Sequence, residues 1–502
     1  MSNPNLYQTF RDQWDLEGSF LKDDHGNQLS YGDADFQSAL VAATLSSLGL
    51  KPGDRVSVQA EKSTDYLWLY FGCLRGGFIF HPLNPAYTKS ELEYFFNNAE
   101  PGVVIYDESR PDTLDAARQA GVRHLYTQGQ DGSGSFRELR SEQTPLARIE
   151  TVAADDPAVL LYSSGTTGKP KGIPLSHKNI ATNAFALSRA WQFTGKDVLL
   201  HALPMFHAHG LFISLGCVLS TGSRMIYQSK FDPEQVLAAI PEATVMMGVP
   251  TYYTRLLAHG GLNAANCAHI RMFVSGSAPL RKDTFEDFEQ QTGHAIVERY
   301  GMSETIIQTT NPVDGVRKAG TVGLPLPGVE IRVVDENEQA LPNNEIGDIQ
   351  SRSESTFLAY WRNPEKTKED FTTDGFLRTG DQGFLDDDGY LSIVGREKDL
   401  VISGGLNVYP AEVEQVINEF DGVDESAIIG VPHTDFGEAV VAVVVPLSGS
   451  ELDADNIITK SKTLLANYKV PKAVMIVDAL PRNSMGKVQK NVLREQYERF
   501  FQ

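Results

Sequence analysis

Residues 158–172 read AVLLYSSGTTGKPKG, and the fold class follows from how the first third of that stretch meets the rest. Residues 158–162 are a short apolar run of the kind that forms a buried strand. They pass without a break into a segment of hydroxyls, glycines and lysines. Ser163, Ser164, Thr166 and Thr167 supply hydroxyls, and Lys169 and Lys171 supply positive charge. Gly165, Gly168 and Gly172 allow backbone N–H groups to approach a ligand closely. A loop of this composition at the end of a strand can cradle polyphosphate. It is not the common GxxxxGK[ST] loop, because that spacing is absent and Pro170 follows Lys169.

On either side, short apolar runs alternate with amphipathic stretches. Residues 54–59 (DRVSVQ) and 101–106 (PGVVIY) read as strands, and residues 33–48 and 90–98 (SELEYFFNN) as helices. Such alternation predicts an α/β chain with largely parallel sheets. The chain's 502 residues are too many for one ordinary core. Near Gly389 the texture changes: an acidic turn (384–389, FLDDDG), a short strand (390–394) and a charged stretch (395–399, GREKD) precede a further set of strands and helices. The expected division is a large N-terminal domain of parallel or mixed sheets flanked by helices, residues 1–397. A small mobile α/β domain, residues 398–502, follows it.

Composition bounds the partners. Hydrophobic residues make up 41% and charged residues 22%, with a formal net charge of −21. That surface repels phosphate backbones and excludes nucleic acid or an anionic membrane as main partner, while a local basic cluster can still hold a small anion. Cys73, Cys217 and Cys267 form neither a disulfide framework nor a CxxC metal pattern, which fits a reducing compartment. The N-terminal MSNPNLYQTFRDQWD has no export or organelle signal, and the terminal ERFFQ is no peroxisomal address. The longest strongly apolar run, residues 439–447, falls short of the roughly 20 residues of a membrane helix. The cytoplasm is the expected location.

Further motifs carry chemistry. Asp381, in LRTGD (377–381), can accept hydrogen bonds from both hydroxyls of a ribose, although alone it reads as a turn aspartate. Tyr300, in YGMSET (300–305), can stack on a purine, and Glu304 can ligate Mg²⁺, a cation that prefers oxygen ligands. Lys487 ends PRNSMGK (481–487) among Arg482, Lys490 and Arg494. Together with GREKDLVISGGLNVYP (395–410) and SGSAP (275–279), these segments resemble, in order and spacing, the adenylate-forming superfamily. That superfamily includes acyl-CoA synthetases, carrier-protein adenylation domains and luciferase.

The resemblance implies an enzyme that uses ATP, Mg²⁺ and coenzyme A. Carboxylate and MgATP give acyl-AMP and pyrophosphate; the small domain then rotates and the CoA thiol attacks the acyl carbon. It implies ATP contacts from Ser163, Ser164, Gly165, Thr166, Thr167, Gly168, Lys169, Ser277, Ala278, Tyr300, Gly301, Met302, Ser303, Asp381 and Arg396. It places Mg²⁺ on Glu304, the hinge at Lys398 and a pantetheine tunnel beside Gly404 and Gly405. Lys487 becomes the catalytic ammonium, matched to the charge that builds when two anions meet. His207, in LPMFHAHGL (203–211), lines the acyl pocket and gates the thiol, with Ser277 and Met302 beside it; His209 reads as structural.

Within the superfamily, HPLNPAY (81–87), GVPTYYTRL (248–256) and FVSGSAPL (273–280) are similar to the malonate-activating synthetases. There the resemblance implies that Arg255 pairs with the distal carboxylate of a small dicarboxylic acid. Ala208 departs from the threonine of several such relatives and leaves open whether methylmalonate also fits. Other readings stay open: a ligase for another small acid, a free-standing enzyme loading a carrier protein, and a nucleotide-binding sensor. Thiol-acceptor and ATP–pyrophosphate exchange assays separate them. No obligate protein partner is expected.

Overall fold

Strands that are apolar on both faces are stable only when helices cover both sides of their sheet. The computed structural model, which describes residues 3–163, 170–403, 406–434, 436–483 and 486–501, has that arrangement and is α/β as expected. The chain packs as two compact units. The first comprises Met1–Val329 and Arg352–Glu369, the second Glu330–Ser351 and Asp370–Gln502. The expected domain border at Lys398 falls inside the second unit, between its two sheets.

Two sheets organise the first unit. One runs, in spatial order, Leu324–Pro325, Thr309–Thr310, Val297–Tyr300, Met272–Ser275, Val245–Gly248, Val198–His201, Arg224–Tyr227, Ser19–Asp23 and Gln28–Ser30. Its central strands are parallel and its edges antiparallel. The other runs His124–Thr127, Val103–Tyr106, Arg55–Gln59, Ile79–Pro82, Pro157–Ser163 and Lys171–Ser176, with the last strand antiparallel. The sequence-derived strands and helices are all present, with ends shifted by a few residues, as where Tyr31–Ser47 replaces 33–48. Ser30 and Asp33 close the N-terminus of that helix as a capping box.

The helix Pro250–His259 is seated by aromatic packing. Tyr253 meets Phe288 edge-on at 5.2 Å, and Phe288 meets Phe273 at 4.8 Å. Tyr252 stacks on Phe231 at 3.8 Å. Each such ring pair adds about 0.5–1.5 kcal/mol beyond its burial. Cys73, Cys217 and Cys267 are buried free thiols, as expected.

In the second unit, Glu330–Val334, Gly347–Arg352, Leu377–Leu385 and Leu391–Arg396 form one sheet. In the other, Val423–His433 pairs with Gly437–Pro446 along its whole length. One face of that hairpin packs Ile428, Val440, Ala442 and Val444 against Val413 and Ile417. The opposite face packs Ile429, Val431, Val441 and Val443 against Leu480 and Leu493. Two covered faces explain why residues 439–445 read as a continuous apolar run rather than an alternation. No described helix is long and apolar enough to cross a membrane.

Candidate active site

The strand Pro157–Ser163 and the returning strand Lys171–Ser176 pair from Pro157↔Ser176 to Ser163↔Lys171, so residues 164–170 connect two hydrogen-bonded arms. Ser164, Gly165, Thr166, Thr167, Gly168 and Lys169 lie outside the described residues. Ser163 Oγ is buried at the loop's entrance with no partner among the described residues. Gly172 has a structural reason to be glycine. Trp361 donates its backbone N–H to the Gly172 carbonyl at 2.8 Å, and a Cβ at 172 would crowd the Trp361 side chain at 2.7 Å.

The loop's returning arm meets the YGMSET segment through one residue. Lys171 Nζ lies 4.6 Å from the centre of the Tyr360 ring, and the Tyr360 hydroxyl donates to Glu304 Oε1 at 3.2 Å. Glu304 is buried, and its carbonyl accepts from Phe357 N at 2.8 Å. Tyr300 ends the strand Val297–Tyr300; Gly301, Met302 and Ser303 follow it in a half-buried turn closed by Ile306 N to Met302 O at 2.8 Å. The described residues contain no cluster of three His, Cys, Asp or Glu able to cage a metal. Glu304, a single buried carboxylate near Tyr360 and Lys171, is compatible with Mg²⁺, which keeps phosphate oxygens and waters in its shell.

SGSAP and the histidine segment meet inside the first unit. Ser277 has φ of 72°, a left-handed backbone uncommon outside glycine. Its hydroxyl lies 3.3 Å from His209 Nδ1. A π-helical turn, His209–Ser214, begins there; such turns recur at functional sites. Burial, aided by the nearby Arg299 charge, pulls His207 down to about 4 and His209 well below its ordinary value, so both imidazoles are neutral at pH 7. Ala278 is half-buried beside Ser277.

Arg255 lies on the helix Pro250–His259, one turn after Tyr252, where its charge partly offsets the burial that raises the Tyr252 phenol to about 12. Its side chain is exposed and pairs with no carboxylate among the described residues. The buried guanidinium beside Ser277 is Arg299, a residue not singled out from the sequence. The signal was the doubly charged VERY of residues 297–300, lying next to fully apolar parallel strands.

The second unit gathers its own set. Asp381 sits on the strand Leu377–Leu385, not in the expected turn, beside a bulge at which Gly380 has φ of 69°. It is buried and stands opposite Arg396 in the ladder, with Arg396 Nε 2.9 Å from Asp381 Oδ1. Arg396 belongs to the same sheet as Asp381. Lys398 lies in the 3₁₀ turn Glu397–Asp399, and burial together with the Arg396 charge lowers its ammonium to about 8. Arg494 pairs with the adjoining Asp399 at 2.8 Å. Gly404 and Gly405 lie outside the described residues, between the paired strands Val401–Ser403 and Leu406–Val408. Lys487 is held by its own N–H to Asn483 Oδ1 at 2.9 Å and by Asn483 N to its carbonyl at 2.9 Å.

Known proteins share this architecture. Residues 11–361 match the AMP-binding enzyme family, and residues 412–487 match the AMP-binding enzyme C-terminal domain. The ATP-bound MatB of Rhodopseudomonas palustris is 46% identical, with both chains covered in full and a TM-score of 0.97. The malonate–CoA ligase of Arabidopsis thaliana is 34% identical over 90% of this chain and 79% of that one. The feruloyl-CoA synthase of an Amycolatopsis species is also 34% identical, over 94% of each chain. The chain therefore belongs to the AMP-binding enzyme family. Within it, it is an ATP-dependent, adenylate-forming acyl-CoA ligase whose substrates are ATP, a carboxylic acid and coenzyme A.

Proposed function

We propose that the acid is malonate, with methylmalonate as a further substrate, and that the product is malonyl-CoA formed through malonyl-AMP. The Arabidopsis malonate–CoA ligase and the feruloyl-CoA synthase are equally similar at 34%, while MatB, at 46% identity over its full length, supports malonate. Charge favours malonate. The wall that carries Ser277 and His207 contains Arg299 without a carboxylate partner among the described residues, and Arg255 stands on the neighbouring helix. An aromatic or aliphatic acyl group would leave a buried guanidinium unmatched.

In the first half-reaction a malonate oxygen attacks the α-phosphorus of ATP, the bond from that phosphorus to the bridging oxygen breaks, and pyrophosphate leaves. Residues 163–169 with Lys171 hold the polyphosphate, and Asp381 with Arg396 holds the ribose. Tyr300, Gly301, Met302, Ser303, Ser277 and Ala278 border the adenylate, and Lys487 offsets the charge of two converging anions. Glu304 would hold Mg²⁺, which would supply neutralisation of phosphate charge. In the second half-reaction the CoA thiol loses its proton and attacks the acyl carbon, and AMP leaves. His207, neutral at pH 7, borders the thiol's path without adding a cation beside Arg299.

AMP release measured across acetate, malonate, methylmalonate, succinate and a hydroxycinnamate tests the assignment. Malonate should give the highest kcat/KM, and a hydroxycinnamate preference would sink it. In the same assay Arg255→Ala should lower kcat/KM for malonate by about tenfold, because an exposed charge is screened by water. Acetate should change by less than about twofold. Equal losses for both acids would make Arg255 a structural residue.

We further propose residues 398–502 as the part that moves, with backbone torsions changing at Lys398. Lys398→Pro fixes φ near −65° and removes a donor. Quench-flow should show acyl-AMP accumulating, with CoA-dependent turnover down about tenfold or more. Unchanged turnover would place the hinge elsewhere.

A further inference from the structure

The strands Pro157–Ser163 and Lys171–Ser176 are poorly held at the end where residues 164–170 join them. Lys171–Ser176 is the edge of its sheet. Pro157–Ser163 registers with its other neighbour, Ile79–Pro82, at Phe80↔Val159, near its start. Beyond that point the ladder supplies no third strand among the described residues, and a lone strand pair has little stability of its own.

The helix Lys89–Ala99 takes the place of that missing strand. It is fixed at both ends and from below. Glu91 accepts from the Thr88 N–H at 2.8 Å at its start. Arg55, on the strand Arg55–Gln59, donates to the carbonyls of Ala99 and Glu100 at 2.7 and 2.5 Å at its end. Leu92, Phe95, Phe96 and Ala99 are buried.

Tyr94 and Asn98 are four residues apart and so share one face of the helix. They reach opposite arms. The Tyr94 hydroxyl donates to the Pro170 carbonyl, on the returning arm, at 2.7 Å. Asn98 Oδ1 accepts from the Tyr162 hydroxyl, on the outgoing arm, at 2.6 Å. The Tyr162 ring also lies 4.8 Å from that of Phe95. The Asn98 carbonyl accepts from Trp361 Nε1 at 3.1 Å, and the Trp361 backbone N–H holds Gly172 two residues past Pro170. Burial raises both phenols, so Tyr94 and Tyr162 are protonated donors at pH 7.

We propose that Tyr94 and Asn98 are positioning residues for the β- and γ-phosphates of ATP, and that they act by fixing both arms of the loop 163–171 to the helix Lys89–Ala99. This rests on the reading above that residues 163–169 with Lys171 hold the polyphosphate. A loop set in place before the ligand arrives binds more tightly, because less ordering is left to binding. The tethers therefore act on the phosphates that the loop holds and not on the nucleoside.

The test is calorimetric titration of wild type, Y94F and N98A with MgATP and, separately, with AMP, which lacks those two phosphates. Each variant removes one hydrogen bond, and Y94F keeps the ring. Each should raise the Kd for MgATP about three- to tenfold and leave that for AMP within about twofold. A merely structural role would lower the melting temperature and weaken both nucleotides alike, or neither. Either of those results would overturn the proposal, as would two variants with an unchanged Kd for MgATP. K169A separates the anchor from the loop reading. If K169A also leaves MgATP binding unchanged, the phosphate role of the loop fails and the proposal fails with it. If K169A weakens MgATP over AMP while Y94F and N98A do not, the anchor alone is refuted.

Discussion

Lys487→Ala should slow acyl-AMP formation by about 10³-fold while leaving thioester formation from supplied malonyl-AMP within about threefold of wild type. The difference comes from charge. Only the first step drives a carboxylate against a polyphosphate, and a positioned ammonium lowers that transition state more than the separated reactants. The backbone around Lys487 is fixed by its reciprocal hydrogen bonds with Asn483 and by the bridge between Arg482 and Val488, so truncating the side chain should leave the local fold intact. Pyrophosphate exchange reads the first step and a single-turnover thiol assay the second; equal losses in both would refute the role.

A pH profile supports the same test. Burial, then the Arg396 charge, lowers the Lys487 ammonium from its ordinary value to about 8 in the free enzyme. A base whose pKa is lowered loses its proton earlier as pH rises. kcat/KM for adenylation should therefore decline as pH passes upward through about 8, and the thioester step should not share that decline. A flat adenylation profile to pH 10 would contradict it.

Glu304→Gln should reduce pyrophosphate exchange by about 10²-fold and shift its Mg²⁺ dependence to higher concentration. Glutamine keeps an acceptor for the Tyr360 hydroxyl, which bonds Glu304 Oε1 at 3.2 Å, so the melting temperature should barely change. What is lost is the negative charge that Mg²⁺ requires. An unchanged Mg²⁺ titration would put the metal on another residue. Tyr360→Phe serves as a control: it removes the hydroxyl and leaves the carboxylate, so its effect should stay below about tenfold.

Glu304 and Lys487 could be singled out from the sequence because each sits in a segment whose neighbours are constrained too. Glu304 follows Tyr300 and Gly301 in a fixed turn, and Lys487 follows Gly486 with φ of 74°. Tyr360 was not legible. It lies far along the chain from Glu304 and Lys171, and only the packing of Trp361 over Gly172 brings it to them. Asp381 and Arg396 were each singled out, but their ion pair depends on a ladder register that includes a bulge, which no spacing along the chain encodes.

The sequence by itself determined the α/β class, the strands and helices singled out along it and membership of the ATP-dependent acyl-CoA ligases. Those features rest on local patterns: apolar runs that must be buried, and glycine, hydroxyl and charge placed within a few residues of one another. The tertiary structure decided which of two arginines is buried. Arg255 and Arg299 are both arginines close to aromatic residues in the chain. Helical rotation leaves Arg255 in water while Tyr252 and Tyr253 hold the helix down. Strand alternation turns Arg299 inward, away from Glu298 and towards Gly276 and Ser277. Whether a charge is solvated or buried unmatched depends on what lies across from it in space, and for Arg299 that is a loop some twenty residues earlier in the chain.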